Sequence, residues 1–149
     1  MNRDWQTLLT SAIPLTRALA LRVDTAADGA LCFQAPLAPN VNDKGTAFGG
    51  SLSAAATVAG WCEVRRLLDL AGYDDRVEVV IQTGTTEYLV PILSDFRLTP
   101  HSPDPTATAA FLKLLQRRGL GRIAVEVSIE TASGLAARFQ GDYVARQSD

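Results

Sequence analysis

The sequence predicts an α+β fold in which an antiparallel sheet wraps round one long central helix. Three observations predict it. Residues 51–71 form a helical segment that is apolar on nearly every side, strand-like segments with alternating apolar residues lie before and after it, and short turns join those strands into hairpins at both ends of the chain.

The elements follow in order. Trp5, Leu8, Leu9, Ala12 and Ile13 recur at helical spacing and stop at Pro14, which predicts a short amphipathic helix. Residues 18–24 alternate Leu19, Leu21 and Val23 against Ala20, Arg22 and Asp24, and after a turn at Asp28-Gly29 a second strand spans 31–37. Residues 38–50 carry Pro39, Asn40, Asn42, Asp43, Gly45, Gly49 and Gly50, a composition that breaks regular structure and reads as a loop feeding the helix over 51–71. With Leu52, Ala55, Val58, Ala59, Trp61 and Val64 that helix is apolar on nearly every side for three turns, so it must be buried, and its alanines let a sheet approach closely. Residues 77–90 and 95–99 read as a long strand and its successor, with Gly84 marking a bulge or a close backbone contact. A proline-rich connection over 100–105 leads to an exposed helix over 106–117, and 123–129 with 136–144 form a terminal hairpin across Ser133-Gly134. No internal repeat or linker interrupts this order, so one domain is expected over residues 1–149. Antiparallel strands around one fully apolar helix make the hotdog fold.

Composition narrows the function. A chain of 149 residues with 47% hydrophobic and 20% charged residues suits one globular core. Its formal charge of -2 and pI near 5.4 offer no attraction to phosphate backbones, and nucleic acid is not an expected partner. The densest basic cluster, Arg117, Arg118 and Arg122, sits around Gly119 and Gly121 and reads as a solvated turn or a contact for a phosphorylated ligand. The first fourteen residues lack a signal-peptide pattern, and the longest apolar stretch is followed by Glu63, Arg65 and Arg66, so neither secretion nor a membrane span is expected; the expectation is a soluble, cytoplasmic protein. Cys32 and Cys62 with one histidine form no metal or disulfide pattern, and neither a metal nor another cofactor is expected.

The most informative segment is 40–51, Asn-Val-Asn-Asp-Lys-Gly-Thr-Ala-Phe-Gly-Gly-Ser, which sets two glycines where a loop becomes a buried helix. A helix start has unpaired N–H groups and about half a positive charge, so it can hold the developing oxyanion of a thioester carbonyl. Gly49 and Gly50 leave room for that carbonyl; alternatively they permit only a tight turn, with Ser51 or Thr46 capping the helix.

Asn42, Gly45-Thr46 and Phe48-Gly49-Gly50, followed by the small-residue helix, resemble the N-x-x-G-T-x-H-G-G segment of the hotdog thioesterases that act on acyl-CoA and similar thioesters. Tyr88-Leu89-Val90-Pro91 resembles the Y-L-x-P segment of the same superfamily, and the string from Asn42 to Ser51 is similar to the bacterial "putative thioesterase" subfamily found alone or fused behind an acetyltransferase domain. The resemblance covers nearly the whole chain. It implies that Gly49 supplies an oxyanion N–H with Gly50 and Ser51 beside the substrate, that Asn42 orients water or thioester, and that the site lies between two subunits of a homodimer or dimer of dimers, where Thr83 and Thr85 could reach the partner's site. The substrate implied is a thioester of coenzyme A or acyl carrier protein.

The chain departs from that pattern twice. Phe48 stands where the family has His, and Thr57 stands where a catalytic Asp or Glu commonly lies, two turns beyond the glycines. Threonine can hold a water but is a poor base at neutral pH. Asp43 is then the first candidate for the base, or an Asx-turn residue, with Glu63 ranked below it. Lys44 could meet a phosphate of the carrier or simply be solvated. His101 is expected in an exposed loop, and Phe33, Phe96, Phe111 and Trp61 either line the acyl pocket or form core. The competing readings are a thioester hydrolase, a non-catalytic acyl-thioester-binding or dimerisation module, and, weakest, a hydratase, which needs a His paired with a carboxylate.

Overall fold

The computed structural model describes residues 2–148. Its elements run α1 (Trp5–Ala12), α2 (Leu15–Ala18), β1 (Arg22–Thr25), β2 (Leu31–Ala35), α3 (Gly49–Leu70), β3 (Val77–Tyr88), β4 (Phe96–His101), α4 (Pro105–Arg118), β5 (Leu120–Thr131) and β6 (Gly134–Gln147), with a 3-10 turn over Ala38–Asn40. The strands form one sheet in the order β1-β2-β4-β5-β6-β3, every pair antiparallel. This is the expected hotdog arrangement, with α3 packed along the sheet.

Strict alternation builds the sheet's inner face. Ile123, Val125, Val127 and Ile129 of β5 and Ala137, Phe139, Tyr143 and Ala145 of β6 are buried, while Arg122, Glu126, Arg138 and Gln140 between them face solvent. Against that face α3 sets Ala55, Ala56, Ala59 and Gly60, whose small size brings the helix backbone close to the sheet. Phe33, Phe96 and Phe111 are core residues, and Trp61 is partly buried with its Nε1 donating to the Val79 carbonyl.

The far end of α3 is secured by charge. Glu63, only 2% exposed, accepts from the Arg66 guanidinium at 2.7 and 2.9 Å and from the Ser102 hydroxyl at 2.6 Å. Arg65 donates to the Val77 and Asp74 carbonyls, and Arg3 forks onto Asp69, tying the N-terminal segment to the helix. Glu63 is thereby committed to an ion pair near the end of α3 opposite the glycines.

Three expectations need correction. The first strand begins at Arg22, not residue 18: Ala18 ends α2, Ala20 takes a left-handed φ of 53°, and the Leu21 N–H closes the turn on the Thr16 carbonyl. Leu19 and Leu21 are both buried because this turn tucks them inward, which imitates strand alternation in the sequence. The predicted connection over 100–105 is partly strand, since β4 continues through Pro100 to His101. There Pro100 is paired on one side only: it lies opposite Val127 of β5, while β2 pairs with β4 only as far as Leu98. His101 accordingly lies in β4, with Nε2 2.6 Å from the Ser128 hydroxyl oxygen.

Candidate active site

The site grows from the loop before α3. The Asn42 side chain organises it: Oδ1 accepts from the Lys44 and Thr46 N–H groups, and Nδ2 donates to Thr46 Oγ1 at 2.7 Å. Gly45, at φ 79°, supplies the left-handed residue this tight turn requires. The turn is docked at both ends, by the Ala47 N–H on the Ile92 carbonyl and by the Phe48 N–H on the carbonyl of buried Asn40. Asp43 is exposed at the tip, its carboxylate 3.2 Å from Lys44 Nζ.

Beyond the turn the helix begins without a cap. Phe48 is the extended N-cap residue and makes no side-chain capping bond, so neither Ser51 nor Thr46 caps α3, which starts at Gly49 rather than at residue 51. The N–H groups of Gly49, Gly50 and Ser51 have no acceptor among the described residues. Gly49 and Gly50 border a cleft of about 430 Å³ whose opposite wall is Tyr88, Leu89, Val90, Pro91 and Ile92. The glycines matter sterically: a Cβ at position 49 would stand 3.2 Å from the Tyr88 ring, and one at position 50 would stand 2.5 Å from the Phe48 ring.

One stripe of α3 faces the edge strand β3. Ser53 Oγ lies 2.7 Å from Thr86 Oγ1 and 2.9 Å from the Tyr88 hydroxyl, which donates to the Gly49 carbonyl at 2.9 Å. One turn on, the Thr57 hydroxyl donates to the Ser53 carbonyl, and the Thr57 carbonyl accepts from Tyr143 at 2.7 Å. Burial pushes the Tyr143 phenol well above its usual range and keeps it a donor.

The structure thus gathers Asn42, Asp43, Gly49, Gly50 and Ser51 on one loop and helix start, with Thr57 two turns away. Thr83 and Thr85 project from the other face of β3: the Thr83 hydroxyl donates to Asp142, and Thr85 lies among His101, Glu126 and Arg138. The residues of that strand turned toward the helix are Thr86 and Tyr88, which the sequence reading did not single out. The bulge at Gln82 sets this phase, and only the Y-L-x-P string hinted at Tyr88. A larger concavity, about 530 Å³, lies along the solvent-facing row Arg22, Gln34, Arg97 and Glu130. It mixes both charges and has no uncapped helix start, which leaves the smaller cleft as the candidate site.

No curated protein matches the chain. Among solved structures it is similar to a Chlorobaculum tepidum protein of unknown function, at 27% identity and a TM-score of 0.89 over 97% of this chain and 93% of that one. It is also similar to a Shewanella oneidensis protein described as a putative thioesterase, at 29% identity and a TM-score of 0.83 over 95% and 94% of the two chains. A Bacillus halodurans protein crystallised with CoA shares the fold at 15% identity, with a TM-score of 0.65 over 98% and 93%. With residues 2–147 matching the family described as Putative thioesterase (YiiD C-terminal), a hotdog fold, and an uncapped Gly-Gly helix start, the chain belongs to that thioesterase family.

Proposed function

We propose that this chain hydrolyses acyl thioesters carried on coenzyme A or acyl carrier protein, as a single cytoplasmic hotdog domain that dimerises. The observation that carries the proposal is the uncapped start of α3, where the Gly49 and Gly50 N–H groups open onto an apolar cleft. The thioester carbonyl oxygen sits on those N–H groups, which stabilise it more strongly as charge develops during water attack. Ser51 lies beside the carbonyl, Asn42 shapes the loop that meets it, and the Thr57 hydroxyl oxygen holds a water. Asp43, on the same loop and 80% exposed in its side chain, is the carboxylate assigned as base. A neighbour of the same fold crystallised with CoA supports a CoA carrier. No helix among the described residues is long and apolar enough to cross a membrane.

A second reading, a non-catalytic acyl-thioester-binding module, is favoured by one observation: the positions of the family His and carboxylate hold Phe48 and Thr57, and neither is a base. Thiol release from a panel of acyl-CoA and acyl-carrier thioesters of varied chain length decides between them, with Asn42→Ala and Asp43→Asn beside wild type. Hydrolysis that falls about 10²-fold or more in either variant is expected. Turnover unchanged by both substitutions sinks this site, and thioester binding without thiol release establishes the binding module instead.

A further inference from the structure

The hydroxyls of Thr86, Ser53 and Tyr88 form a chain whose proton order is fixed at one end. The Gly49 carbonyl can only accept, so its 2.9 Å contact with Tyr88 uses the phenol's single proton. The phenol oxygen must then accept from Ser53, and Ser53 in turn from Thr86. All three donors point the same way, from β3 into the carbonyl of the first residue of α3.

That carbonyl shares a rigid peptide plane with the Gly50 N–H. A hydrogen bond accepted by an amide oxygen draws electron density from the nitrogen and makes the N–H a better donor, by roughly 10–30% per bond. It also fixes where the N–H points, and an oxyanion donor works only when aimed at the place where charge develops. The Tyr88 ring adds a steric register, lying against Gly49 where any Cβ would press on it.

We propose that Tyr88 is a positioning residue for the thioester reaction. Through the Gly49 carbonyl it orients and polarises the Gly49–Gly50 peptide, whose N–H meets the developing oxyanion, while Ser53 and Thr86 hold the phenol in its donating rotamer. This inference rests on the thioester reading above. It gives the hydroxyl chain a task that none of its members could perform as a base: it supplies dipole alignment to a site that lacks the usual His and carboxylate.

The test is Tyr88→Phe, which keeps the ring and deletes the donor, beside Thr86→Val, which deletes only the far end of the chain. Tyr88 is 53% exposed, so the fold does not hang on it. With a thioester that wild type turns over, Tyr88→Phe is expected to lower kcat about tenfold with KM within about twofold, and Thr86→Val to lower it about two- to threefold. NMR of the full-length protein supplies a readout independent of turnover. The Gly49 carbonyl carbon and the Gly50 amide proton are expected to move upfield in Tyr88→Phe, and by less in Thr86→Val. Gly49 and Gly50 resonances that stay in place, or kcat unchanged in Tyr88→Phe, overturn the inference and leave the hydrolase reading standing. A wild type that releases no thiol from any thioester removes the hydrolase reading, and the resonances alone then decide whether Tyr88 polarises this peptide.

Discussion

Asn42 is bound entirely within its own turn, and this decides how its substitutions must be read. Alanine removes three hydrogen bonds at once, two of them to backbone N–H groups that the turn would leave facing inward. With each net bond worth about 1 kcal/mol and some compensation by water, Asn42→Ala is expected to cost about 1–2 kcal/mol, lowering the thermal midpoint by roughly 3–8 °C. Asn42→Asp retains an Oδ1 acceptor for both N–H groups and is expected to melt close to wild type. Thermal unfolding of the two variants checks the turn, and an Asp variant as unstable as the Ala variant would refute it. Measured beside activity, the Asp variant also separates shaping the loop from touching the substrate. At this scale the sequence revealed Gly49, Gly50 and the turn around Asn42, because loop and helix start are contiguous. Ser53 and Thr86, and the role of Tyr88 beyond its place in the Y-L-x-P string, escaped it for a physical reason: the three meet across 33 and 35 residues, and the bulge at Gln82 decides which alternate residues of β3 face the helix.

The helix α3 holds the site in place through a stripe of small residues against β6 and β3. Gly60 is the tightest point, since a Cβ there would stand 2.2 Å from the Tyr143 hydroxyl oxygen and 2.8 Å from Cζ. Tyr143 is wholly buried and donates to the Thr57 carbonyl, so its ring has nowhere to retreat. Alanine is the better helix former by about 1 kcal/mol, yet overpacking and the lost hydrogen bond outweigh that gain. Gly60→Ala is expected to lose about 2–3 kcal/mol in chemical denaturation, and adding Tyr143→Phe to recover part of the loss by removing the nearest atom. A Gly60→Ala variant more stable than wild type would show that the helix does not sit this close. The existence of this helix was plain in the sequence because its first three turns are apolar on nearly every side. The first strand was misplaced because alternation is a local signal, and a left-handed turn at Ala20 buries Leu19 and Leu21 just as a strand would.

Across the whole molecule the two edges of the sheet are unequal. β1 is four residues long and carries Arg22 and Asp24, the short charged edge that proteins use to prevent pairing. β3 is twelve residues long, contains no lysine, arginine or proline, and exposes Val80 and Ile81 at 58% and 37%. Its outer side pairs with no strand among the described residues, since β3 pairs only with β6, and near its start the Val77 and Val79 carbonyls accept from Arg65 and Trp61 of α3. Tyr88, Leu89 and Val90 continue the apolar surface from this edge to the mouth of the cleft, with exposures of 53%, 39% and 54%. If the proposed dimer pairs through this edge, the proposed site opens at the junction of two protomers. The double substitution Val80→Lys with Ile81→Lys turns β3 into a guarded edge, because like charges then face each other across the two-fold and neither lysine can shed its water cheaply. Wild type is expected to elute at twice the chain mass or a multiple of it in size-exclusion chromatography with light scattering, and the double variant as a monomer with an unchanged far-ultraviolet circular dichroism spectrum. Thiol release should fall with the dimer if the partner completes the cleft. A wild type that is strictly monomeric at tens of micromolar would leave β3 an unpaired edge and the cleft the property of a single chain.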